Sequence, residues 1–208
     1  MNPGFLSLIL LVIALILLSS GWKDVLLRSI SHKGILLFFI AWVGLSKWTV
    51  TVQHFKLSGP FLLVSALAVC LWLGTEGAAA KLHALSIGLL LGSFHFLLQE
   101  LFEIDPILIV SRADVDIAVL VGLITLVLQR SVSLQLACLS IGLATGTLYG
   151  VLFRHKTGIM TLGGPSFQDQ WWTAVFVSRC ATVLMQEAAN GVKVLSQLWA
   201  DKRKGWRK

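Results

Sequence analysis

Apolar runs separated by short polar breaks fill this chain. They lie at Phe5 to Ser20, Gly34 to Val52, Pro60 to Gly74, Leu82 to Phe102, Val115 to Gln129 and Leu134 to Phe153. Each approaches the length a helix needs to cross a hydrocarbon core of roughly 30 Å. The pattern therefore predicts an all-α, polytopic transmembrane helix bundle of six spans. A further segment, about 172–198, sets Arg179, Thr182, Gln186, Asn190, Lys193 and Gln197 on one narrow helical stripe between Trp171 and Trp199. Such a helix either crosses as a seventh span with its stripe toward the bundle or lies flat as an amphipathic helix. No linker-like stretch interrupts the pattern, so residues 1–208 read as a single integral membrane domain.

Local signals refine the boundaries. In "SGPF", Pro60 suits a first helical turn, where its missing N–H costs nothing. Ser111 with Asp114, and Ser166 with Asp169 after the turn at Gly163, Gly164 and Pro165, have the spacing of capping boxes. In "GWKDVLLRSISHK", Trp22, Val25, Leu26 and Ile30 share one helical side, and Asp24 stands four residues before Arg28. That stretch reads as an interfacial helix or as a basic loop. The first apolar run lacks a preceding Lys or Arg and a good cleavage site, so it is expected to be a retained span, not a signal peptide.

The stretch "LSIGLLLG" from Leu85 returns as "LSIGLATG" from Leu139, and the same offset overlays 60–102 on 114–156. This predicts a tandem repeat of a helical hairpin, both copies entering the membrane in one direction and related by an axis near its normal. Small residues recur every fourth position in each copy: Ala84, Gly88 and Gly92 in the first, Gly142, Gly146 and Gly150 in the second. Such stripes let helix backbones approach closely. The offset also pairs Glu76 with Arg130 and Glu100 with Arg154.

Composition supports the membrane reading. Of 208 residues, 56% are hydrophobic and 13% charged, and the mean hydropathy is +0.84. The formal charge of +7 resides mainly in loops and in the tail "DKRKGWRK". Anionic lipid headgroups, not nucleic acid, are its expected partner. Cys70, Cys138 and Cys180 sit singly inside apolar runs, without disulfide or zinc-site spacing.

Polar groups at membrane depth mark the candidate site, because burying them in a bilayer is costly. His95 and Gln99, four apart on one helical face, are followed by Glu100, and Asp114 and Asp116 face them across a short loop. One reading is a site for a proton, cation or cationic solute. The other, favoured because the apolar run has ended by Glu100, is an acidic loop at the headgroups with His95 bonded to a neighbouring helix. No hydrolase, zincin, phosphate-loop or redox motif is present, and neither cofactor nor metal is expected.

The uncharged start, the closely spaced spans, the turn "GGPSFQDQWW" and the basic tail resemble the YphA-type membrane proteins of spore-forming Gram-positive bacteria. The resemblance covers the whole chain. It implies the bacterial cell membrane and carries no assigned activity. Two functions stand: a non-catalytic membrane module that packs against a membrane-protein partner or a second copy, and a small transporter or solute-binding subunit. The distribution of Lys and Arg puts the C-terminus in the cytoplasm. Seven spans would then leave the N-terminus outside, and six would bring it inside.

Overall fold

The computed structural model describes residues 2–27, 30–52, 55–153 and 160–205, with side chains to residue 193 apart from those of Val52 and Met160. Its helices are α1 (Phe5–Ser19), α2 (Lys23–Leu26), α3 (His32–Leu45), α4 (Gly59–Leu73), α5 (Ala78–Ile104), α6 (Ala113–Leu128), α7 (Val132–Phe153) and α8 (Pro165–Gly205). Among the described residues, α5 and α7 are long and apolar enough to cross a membrane by themselves, while α1, α3 and α4 are shorter apolar helices.

α5 packs chiefly along α7, α6 along α8, α4 along α7 and α1 along α8. Down the α5–α7 seam, residues 54 apart face one another. The Cys138 thiol approaches the Ala84 carbonyl at 3.4 Å. A β-carbon added at Gly142 would lie 3.3 Å from the Gly88 carbonyl, and one at Gly146 would lie 2.8 Å from the Gly92 carbonyl. The two helices run parallel, with backbones too close for larger residues.

Several sequence expectations need correction. The second apolar run is not one helix to Val52. It breaks after Leu45, and Thr49–Val52 (β1) pairs antiparallel with Phe55–Ser58 (β2), which pairs in parallel with Met160–Leu162 (β3). The β-branched sequence Thr-Val-Thr-Val prefers the extended state, and pairing satisfies its backbone groups. α8 begins at Pro165, at the turn of Gly163, Gly164 and Pro165, and runs unbroken for 41 residues, beyond both ends of the span expected over about 172–198. The interfacial helix is the single turn Lys23–Leu26, and Arg28 lies outside the described residues.

Neither capping box forms. α6 has Arg112 at its N-cap without a side-chain bond, and Asp169 turns away from its own helix. Glu76 and Arg130 are both exposed, and no ion pair joins them. Arg154, His155 and Lys156, and with them the end of the second hairpin, lie outside the described residues.

Trp171 and Trp172 lie in the first half of α8. Both are buried, at 3% exposure, in an aromatic cluster where Trp42 stacks on Trp171 with centroids 5.4 Å apart and Phe38 and Phe39 approach Trp172. Helix α3 crosses α8 here, and flat rings fill the space between them.

Candidate functional site

Polar side chains gather at two ends of the bundle. At the sheet end they form a chain through four helices. The Asp114 carboxylate accepts from Gln170 Nε2 at 3.0 Å, and Gln170 Oε1 lies 3.0 Å from His95 Nε2. A carboxylate only accepts, so the Gln170 amide is oriented by Asp114 and its oxygen faces His95. His95 therefore donates from Nε2, a tautomer inferred from the network.

The Gln99 amide, 3.4 Å from the same nitrogen, is a weak neighbour in that arrangement. His95 is wholly buried, and its Nδ1 has no hydrogen-bond partner among the described residues.

Arg112 continues the chain. It stands 3.6 Å from Asp114 and 3.7 Å from Asp169. The Asp169 carboxylate accepts the Gly4 N–H at 2.9 Å and the Ser7 N–H at 2.7 Å. Asp169 thus caps α1 from across the molecule, supplying acceptors and negative charge to a helix start that has no cap of its own. Gly4 tolerates the left-handed backbone this needs, with φ of 89°.

The small-residue stripe and the polar site adjoin. A β-carbon at Gly146 would meet the His95 ring, and one at Gly150 would lie 3.3 Å from Gln99 Oε1. The upper half of the α7 stripe is therefore the floor on which His95 and Gln99 lie. Of the five candidate polar residues, the structure joins His95, Gln99 and Asp114. Asp116 instead accepts the Val110 and Ser111 N–H groups at 2.8 and 3.0 Å, tying down its own loop. Glu100 is half-buried at the end of α5 and outside the chain's contacts with Gln170.

At the opposite end, Arg179 is buried at 4% exposure. It donates from Nη1 to Gln135 Oε1 at 2.8 Å and from Nε to the Leu26 carbonyl at 2.9 Å. Gln135, fully buried, donates in turn to the Gln129 carbonyl and to Thr182 Oγ1, both at 3.1 Å. Asp169 and Gln170 are missing from the sequence-based set, as is Gln135. Asp169 and Gln170 carry a signal in hindsight: two polar residues one turn inside an apolar helix, beside two tryptophans. Among the described residues, no three His, Cys, Asp or Glu side chains gather as metal ligands.

A bundle with apolar helices, a parallel glycine-lined seam and buried charged groups toward its two ends is that of an integral membrane protein. The YphA-like integral membrane protein family matches residues 3–205, and the chain belongs to it. No curated protein and no solved structure matches the chain.

Proposed function

We propose that the protein is a non-catalytic, multi-pass module of the cell membrane that works by packing against a partner protein or a second copy. The observation that carries this reading is the division of α8. To Thr182 its inward residues are buried in the bundle; beyond it Leu184, Met185 and Val192 are 70%, 58% and 66% exposed. The buried portion is about 27 Å long and the whole helix about 60 Å, twice the thickness of a hydrocarbon core.

The α1 start and the α8 start meet at Asp169, and Arg179 reaches α2, so α1 and α8 run in the same direction. This supports an odd number of crossings, which we read as seven, with α8 leaving at the end that carries Lys23, Lys33 and Arg130. By the positive-inside rule this end is cytoplasmic and the N-terminus is outside. The hairpins α4–α5 and α6–α7 are read as a duplicated unit, since residues 54 apart meet on the seam. Duplication supplies the rigid body from which α8 projects.

The test is a photo-crosslinking residue at Met185 or Val192 in native membranes. Adducts with a second copy or one recurring membrane protein are expected there, and lipid adducts alone from Leu36 on the outer face of α3. Lipid adducts alone from all three positions would overturn the proposal.

The unpartnered Nδ1 of buried His95 favours a second reading, a proton- or solute-binding subunit. It requires a flux in proteoliposomes that His95→Gln abolishes.

A further inference from the structure

An apolar cavity of about 130 Å³ lies between α1, α3 and α8. Its walls include Leu17, Phe38, Trp172, Val175 and Arg179. The volume is similar to the roughly 150 Å³ of an apolar cavity that stays dry and takes a benzene ring. A second recess of about 390 Å³ shares Leu18, Ile35 and Phe39 with it and brings in Ser19, Lys23, His32 and Lys33. The inner space is greasy and the outer one basic.

Charge in this region is unbalanced. The described partners of Arg179 are neutral oxygens. Among the described residues no acid lines the recess; Asp24, next to Lys23 in sequence, pairs with it at 3.5 Å and is itself 82% exposed. Arg179, Lys33 and half-compensated Lys23 therefore direct positive potential at one opening.

We propose that cavity and recess together bind one anionic phospholipid. The first few carbons of an acyl chain enter the cavity, and the phosphate sits in the recess against Lys23 and Lys33. Arg179 adds a fixed charge that a zwitterionic lipid exploits less well. The site stands at the proposed cytoplasmic end, where anionic lipids are concentrated.

Tryptophan quenching by dibrominated lipids in phosphatidylcholine vesicles tests this. Brominated phosphatidylglycerol is expected to half-saturate quenching at a mole fraction about fivefold below that of brominated phosphatidylcholine, as one basic residue at an anionic surface implies. The double variant Lys23→Gln/Lys33→Gln should lose the preference, and Lys202→Gln/Lys204→Gln in the tail should keep it. Equal curves for the two lipids in the unmodified protein, or a preference lost with the tail lysines and not the recess lysines, would overturn the proposal. Should the recess variant fail to fold, native mass spectrometry of the unmodified protein decides: retained anionic phospholipid supports the site, and its absence removes it.

Discussion

The two polar ends of the bundle are built on opposite principles. At the sheet end Arg112 stands between Asp114 and Asp169, and each carboxylate has further donors in Gln170 or the α1 backbone. At the α2 end Arg179 is more deeply buried than Arg112, yet its described partners are an amide oxygen and a carbonyl. The first cluster is nearly saturated within the chain. The second leaves a charge to be balanced from outside, beside an apolar cavity. A closed polar network joins helices at low net gain, whereas an open cationic one both joins helices and attracts an anion. The contrast explains why the more conspicuous site, that of His95, is read as structural.

The largest effect that can break this comparison comes from Asp169. Asp169→Ala removes the acceptor for two α1 N–H groups and one carboxylate of Arg112. Losing one partner of a buried pair costs about 3–5 kcal/mol, and a helix cap about 1 kcal/mol more. Arg112 is 27% exposed and can turn to water, so a loss near the lower bound is expected. Thermal unfolding in lipid nanodiscs should show the midpoint falling by about 10 °C, at about 2–4 °C per kcal/mol for a chain of this length. A shift within 2 °C would mean that α1 docks through its apolar face alone.

A smaller loss is expected at the other end. Gln135→Leu keeps the volume of a fully buried residue and removes the Nη1 acceptor of Arg179 as well as the donor to Thr182. An unmet buried group costs about 1–3 kcal/mol. If anionic lipid balances Arg179, the loss should be smaller in phosphatidylglycerol nanodiscs than in phosphatidylcholine ones. Identical losses in both lipids would separate Arg179 from the lipid site.

The sequence makes the helices legible and the connections between them much less so. Runs such as Leu82 to Phe102 and Leu134 to Phe153 are apolar enough that only a helix satisfies their backbone in a membrane, and α5 and α7 follow them within a few residues. The sheet is hidden because Thr49–Val52 is as apolar as the helix before it, and β3, which pairs with β2, lies more than a hundred residues further along the chain. The burial of Trp171 is equally illegible, since hydropathy cannot separate a tryptophan at the headgroups from one stacked on Trp42. Asp169 had local spacing suited to capping its own helix, while its true partners are Gly4 and Ser7. Of the candidate polar site, His95, Gln99 and Asp114 were legible as costly polar groups. Gln170, which joins two of them, sat in a segment read as the turn before a helix.

The finest distinction is internal to the sheet end, between the two carboxylates of Arg112. Asp169 has a side chain with 0% exposure and Asp114 one with 28%. Asp114→Asn keeps an oxygen that can accept from Gln170 Nε2 and removes only the charge facing Arg112 at 3.6 Å. Ion pairs with this much access to water contribute about 0–1 kcal/mol, and Arg112 retains Asp169. The expected fall in unfolding midpoint is therefore at most about 4 °C. The amide can also turn over and present its NH₂ to Gln170, which would rotate the Gln170 amide and place a donor against His95 Nε2. The ring then accepts at Nε2 and carries its proton on Nδ1, a change visible in the ¹⁵N shifts of labelled histidine. A loss equal to that of Asp169→Ala would show that Asp114 shares the buried charge and that the chain has no exposed end.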